Sequence, residues 1–236
     1  MEKQPIVIVE NLSRRFPVGK GEFTALNSVN LNFYEGEFAG LIGPSGSGKT
    51  TLLNIIGTLD SPTSGDVMVL GNAVSKLSYK TSARLRKEKL GFIFQSYNLL
   101  AVHSVYENVE FPLLLLKYTS VERRKMVLDA LEWVGLTDKV KSKPPQLSGG
   151  ECQRVAIARA MVKKPSLVLA DEPTANLDAA NSHNILKTMV KLNEELKTTF
   201  IFATHDEKVI NYLRRKVFLV DGKVDNDVII SPNLNK

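Results

Sequence analysis

Eight residues, GPSGSGKT over 43–50, constrain this chain more than any other feature. They follow the apolar run FAGLIG, which reads as a buried strand, and lead into KTTLLNIIG, which reads as a helix running from Lys49 to about Leu59. The spacing G-x-x-x-x-G-K-[ST] between a strand and a helix is that of a phosphate-binding loop. Glycines at 43, 46 and 48 let the backbone wrap a phosphate and turn its N–H groups inward, with Pro44, Ser45, Ser47 and Thr51 completing the loop. Lys49 supplies a point charge to the β- and γ-phosphates, and the Thr50 hydroxyl can ligate Mg²⁺. The loop implies nucleotide binding but leaves the reaction open.

A strand ending in acid supplies the reaction. In SLVLADEPTANLD, 166–178, an apolar run ends at Asp171, which places a carboxylate at the C-terminal edge of a parallel strand, where open α/β sheets bind ligands. Asp171 can hold Mg²⁺ directly or through water, and Glu172 beside it can reach the water that attacks a γ-phosphate. A second glycine turn, PPQLSGGECQRVAIARA over 144–160, opens into an amphipathic run without a breaker. It reads as a helix start with free N–H groups and a positive dipole end, a second anion cradle far from the first.

Strand patterns also occupy PIVIVENLSRRF, SVNLNFYEGEFAGLIG, DVMVL, LGFIFQ, TFIFAT and KVFLVDG. Between 95 and 165 the period becomes helical, in SVYENVEFPLLLLKY, SVERRKMVLDALEWVGL and GECQRVAIARAMVKK, and strands resume afterwards. That order predicts a helical insertion, 96–164, in an α/β core formed by 1–95 and 165–236, all within one domain. The tail NDVIISPNLNK is too short for a further domain.

The phosphate loop, LSGGE, LADEPTANLD and ATHD, in this order, resemble the nucleotide-binding subunit of ATP-binding-cassette (ABC) transporters over nearly the whole chain. The fold implied is α/β: a P-loop NTPase core with a parallel-rich sheet flanked by helices, an N-terminal antiparallel β region and the inserted helical subdomain. The resemblance implies ATP with Mg²⁺, and two subunits packed head to tail as a homodimer or pseudo-symmetric ATPase pair. Ser148, Gly149 and Gly150 of each signature turn would then close on the ATP held by the other chain, with Leu147 anchoring the turn. Asp178 would lie in the loop crossing that interface. Glu151 and Cys152 depart from the glutamine and second polar residue common after the glycines.

Three further roles are carried over by the resemblance. Gln95 would touch Mg²⁺ or water and report nucleotide state, or it could be a plain polar strand end. His205, after TFIFAT, would contact the γ-phosphate and join Glu172 and Gln95 in the catalytic set. Phe16 would stack on adenine where the family usually has Tyr, or it could simply be core. His103 and His183 are expected on the surface or in packing. NIIGTLDSPTSGDV and the stretch from LSYKTSARLRKEKLGFIFQSYNLL to SVYENVEFPLLL are similar to the ATPases of lipoprotein-release and macrolide-efflux systems, which work with integral membrane subunits.

Composition limits the alternatives. No apolar run approaches the roughly 18 residues that span a bilayer, and MEKQPIVIVE lacks the features of a secretory leader, so the expectation is a cytoplasmic chain held peripherally at the membrane by its partners. The lone Cys152 is expected to pack on a helix. A net charge of +6, dispersed in clusters such as 123–125 and 214–216, suits solvated helix faces, an anionic membrane surface or nucleic acid. A soluble ABC ATPase acting on ribosomes or DNA is the alternative. Such chains carry two cassettes or a long coiled coil, whereas this one has one cassette and no sustained heptads, so no nucleic acid is expected. A kinase or GTPase would leave LSGG unexplained, and no N-K-x-D motif is present.

Overall fold

The computed structural model describes residues 4–230; Met1 to Lys3 of the N-terminal stretch and the last six residues of the tail lie outside them. A hairpin of β1 (Pro5–Val18) and β2 (Gly21–Tyr34) joins β4 (Ser64–Val69) and β5 (Asn72–Ala73) in an antiparallel sheet of order β2-β1-β4-β5. The second sheet, β10-β9-β3-β8-β7-β6, contains β3 (Phe38–Ile42), β6 (Leu90–Ile93), β7 (Leu167–Asp171), β8 (Thr199–Thr204), β9 (Arg215–Val220) and β10 (Lys223–Ile229). All its pairings are parallel except β10 with β9.

The central strands of that sheet are buried on both faces, which is why their sequences are continuous apolar runs. Alternation along each strand sends successive side chains to two different cores. Phe38, Val168, Ala170, Phe200 and Phe202 meet α3 (Val105–Leu114), α4 (Ser120–Trp133), α5 (Gly149–Met161) and α6 (Ala179–Leu196). Leu41, Leu169 and Ile201 point the other way, toward α1 (Lys49–Ile56), the antiparallel sheet and Leu85 of α2 (Tyr79–Lys89). The three helices between β6 and β7 therefore share one core with a face of the sheet. Each of them opens with a capping box: Ser104 with Glu107, Thr119 with Glu122, and Ser148 with Glu151.

Several boundaries differ from the sequence expectation. Helix α1 ends at Ile56, short of Leu59, because Gly57 caps it beside the Phe92 ring, 2.7 Å from where a Cβ would stand. Helices α2 and α6 and strand β10 were not expected individually. A short helix α7 (Glu207–Ile210) follows β8, capped by Asp206. No helix among the described residues is long and apolar enough to cross a membrane.

Candidate active site

The phosphate loop sits between β3 and α1. Gly48 precedes α1 with φ +100°, a left-handed conformation that glycine alone adopts freely, and an added Cβ would lie 2.6 Å from the Ala25 carbonyl. At Gly43 a Cβ would lie 2.2 Å from the Leu219 carbonyl. No side chain caps the first turn of α1, so its N–H groups remain for an anion. Lys49 Nζ donates to the Gly43 and Pro44 carbonyls at 2.7 and 2.8 Å, which leaves a third ammonium proton for a ligand. Burial lowers the Lys49 pKa, while Glu172 and Asp171 pull it back up. Close approach of a phosphate would favour the charged form further.

Thr50 Oγ1 lies 3.3 and 3.1 Å from the two Asp171 carboxylate oxygens, so the residues expected to hold a metal are together. Burial raises the Asp171 pKa and the Thr50 hydrogen bond opposes this. Both ligands are hard oxygens, which fits Mg²⁺. No cluster of three or more His, Cys, Asp or Glu suited to a metal occurs among the described residues, so a cation there would take its other ligands from phosphate and water.

Glu172 follows Asp171 with φ +45°, an uncommon conformation for a residue with a side chain. Its Oε1 meets His205 Nδ1 at 2.6 Å and its Oε2 accepts from Thr204 Oγ1 at 3.0 Å. The His205 ring is otherwise open to solvent, with 68% of its side chain exposed, and is free to reach a ligand. Gln95 is exposed just past β6, and its carbonyl accepts from Asn176 Nδ2 at 2.9 Å. A cleft of about 360 Å³ gathers Ser45, Gly46, Gly48, Lys49, Thr50, Thr51, Gln95, Asp171, Glu172 and His205. A larger cleft of about 960 Å³, with Glu35, Arg84, Glu88, Lys89 and Lys197 on its walls, has charges of both signs and none of the motif residues.

The signature turn does not join its own chain's cleft: none of Ser148, Gly149 and Gly150 lines it. Ser148 caps α5 by accepting from Glu151 N–H at 3.2 Å, and Glu151 accepts from Ser148 N–H at 2.7 Å. In the capping boxes of α3 and α4 the hydroxyl also donates to the glutamate, at 2.7 Å in both. Glu151 has Lys139 at 3.5 Å on its other oxygen, and the hydrogen bonds from Ser148 lower its pKa. Asp178 caps α6, accepting from Asn181 N–H at 2.9 Å, and that bond lowers its pKa. It too lies away from its own chain's cleft.

At the open end of the cleft the aromatic wall is Phe23, 53% exposed. Phe16 is its cross-strand partner on β1, half-buried, and the Arg14 guanidinium lies 4.4 Å from its ring centroid. Arg14 is itself fixed by Asp60 at 2.9 Å. The sequence reading missed Phe23; strand pairing with Phe16 is the signal that finds it. His103 is exposed beside Glu107, and His183 bonds Tyr212 on the surface, as expected for residues outside the chemistry.

A phosphate loop, a hydroxyl–carboxylate pair and a second carboxylate directly after the first, at the end of β7, define a P-loop nucleotide hydrolase. The family model described as ABC transporter matches residues 26–175. The chain belongs to the ABC transporter family, as an ATPase cassette. The ABC transporter ATP-binding protein MJ0796 of Methanocaldococcus jannaschii is 42% identical over 227 residues, 94% of this chain and 96% of that one. The lipoprotein-releasing system ATP-binding protein LolD of Pseudoalteromonas translucida is 44% identical over 219 residues, 93% and 94% of the two chains. A solved dimeric MJ0796 cassette bound to ADP and Pi superposes with TM-score 0.88 at 41% identity, covering 95% of this chain and 99% of that one.

Proposed function

We propose that this cassette binds ATP with Mg²⁺, pairs head to tail with a second cassette, and uses hydrolysis to drive integral membrane subunits of the lipoprotein-release or efflux type. The single observation that carries the catalytic part is the Glu172 carboxylate, held by Thr204 and His205 and facing the same cleft as Lys49 and the Thr50–Asp171 pair. Glu172 orients or deprotonates the attacking water. Lys49 and the first turn of α1 bind the phosphates, and His205 holds a donor toward the γ-phosphate. Thr50 and Asp171, with Gln95 at the cleft's edge, would hold Mg²⁺, which when bound neutralises charge on the phosphates.

Pairing is supported by a signature turn that its own chain's cleft does not use, and by the dimeric solved relatives. In this reading Ser148, Gly149, Gly150 and Asp178 serve the partner's ATP. The lipoprotein-releasing relative supports the subtype. Transporter ATP-binding relatives do not favour the ribosome or DNA alternative.

Membrane subunits would dock on the helical arm, residues 96–164, and place the cassette at the cytoplasmic face. Within 97–106, Tyr97 and Tyr106 are half-buried, while Leu100 and Val102 are exposed. Further exposed apolar surface lies at Leu59, Phe111, Leu114 and Leu115, and Leu59, Phe111 and Leu115 line a groove of about 520 Å³ between α2, β6 and α3. Arg86, Lys87 and Lys163 rim that groove.

Replacing Glu172 by Gln keeps the shape and removes the basicity. ATP hydrolysis should fall about 10²–10⁴-fold while ATP affinity is retained. Steady-state phosphate release and nucleotide titration check both halves, and wild-type turnover by Glu172→Gln would remove the assignment.

A further inference from the structure

The end of β8 does more than deliver His205. Thr204 is its last residue, fully buried, and its Oγ1 accepts the Asp206 N–H at 3.0 Å while lying 3.0 Å from Glu172 Oε2. A threonine hydroxyl carries one proton. With the Asp206 amide occupying a lone pair, that proton is directed to the carboxylate. The Glu172 backbone is tied to the same strand, because its N–H donates to the Ala203 carbonyl at 2.9 Å. Thr174, buried two residues beyond Glu172, donates to Asp206 Oδ2 at 3.1 Å and closes the ring of contacts.

We propose that Thr204 is a positioning residue for hydrolysis: its hydroxyl aims the Glu172 carboxylate by fixing Oε2, so that Oε1 is left to His205 and the attacking water. This rests on the assignment of Glu172 as the water-orienting residue. Glu172 has a strained backbone and sits at a strand end, where a carboxylate without an anchor would sample several rotamers. An anchor on one oxygen selects the rotamer in which the other faces the cleft. The hydroxyl acts through Glu172 and touches no nucleotide, so its effect belongs to turnover and not to binding.

Thr204→Val replaces the hydroxyl by a methyl of similar size and keeps the β-branching that suits a strand. It should lower kcat about 10- to 100-fold, the scale of a displaced catalytic group, with KM for ATP within about twofold. Thr204→Ser restores the donor and should recover most of that loss. In a Glu172→Gln background Thr204→Val should cause no further loss, because both changes act on one carboxylate. If Val does not bind ATP, Thr204→Ala removes the same hydroxyl without setting a methyl against the carboxylate, and its kcat against that of Ser decides. The proposal is overturned if the variant lacking the hydroxyl keeps wild-type kcat while Glu172→Gln is inactive. It is equally overturned if Ser is no better, or if the loss persists undiminished in the Gln background. Wild-type turnover by Glu172→Gln would instead overturn the assignment of Glu172 itself.

Discussion

Phe16 and Phe23 face each other across the β1–β2 pair, but Arg14 covers one ring while the other lines the cleft. A base entering above Lys49 and Thr51 would therefore meet Phe23. Stacking of a base on an aromatic ring contributes about 1–3 kcal/mol, roughly 5- to 150-fold in affinity. Phe23→Ala should weaken ATP binding within that range and leave the affinity for inorganic tripolyphosphate, which has no base, unchanged. Phe16→Ala should cost less, and Lys49→Ala should weaken both ligands. Isothermal titration with the two ligands separates these outcomes; equal losses for both ligands at Phe23 would mean a general disturbance of the loop. The motif residues at this scale were legible because phosphate chemistry demands particular groups at fixed spacing. Phe23 was not, because a wall of the cleft is defined by strand pairing and not by spacing along the chain.

The same distinction holds for whole elements. Strands β3, β7 and β8 were legible because burial on both faces leaves continuous apolar runs. Helix α2 buries only Leu85, and β10 is mostly exposed, so neither leaves a hydrophobic period to read. Beside Leu85, α2 is held by polar contacts: Lys163 Nζ, just past α5, donates to the Arg86 and Lys87 carbonyls at 2.7 and 2.8 Å, among the last carbonyls of α2. Burial lowers the Lys163 pKa from 10.5 to about 8. A neutral amine still has two N–H donors, enough for both carbonyls. Between these two pKa values the unfolded chain holds a proton that the folded chain has released, so stability rises with pH in that window; below about pH 8 the folded protein bears the cost of a buried charge. Urea unfolding of wild type and Lys163→Met at pH 7.5 and pH 10 tests this. The wild-type stability minus that of Met should increase by about 2 kcal/mol between the two. A difference independent of pH would mean that the ammonium is solvated in the folded protein.

At the scale of the molecule, the phosphate loop lines the chain's own cleft and the signature turn does not. If the signature turn completes the partner's site, the two can be inactivated separately and recombined. Ser148→Arg fills the space where an opposing γ-phosphate would sit but leaves the phosphate loop intact. Lys49→Ala removes the charge that faces the β- and γ-phosphates but leaves the signature turn intact. Each variant alone, with Glu172→Gln added to prevent hydrolysis, should remain monomeric in ATP. Mixed, the two chains can form one complete site per heterodimer, with the Ser148→Arg loop and the Lys49→Ala signature meeting on a single ATP. Size-exclusion chromatography with differently tagged chains should then show an ATP-dependent heterodimer, weaker than the homodimer of Glu172→Gln because one closed site contributes where two did before. A Ser148→Arg protein, carrying no other change, that dimerises and hydrolyses ATP normally would exclude head-to-tail completion, since the blocked turn would then have no part in closing a site.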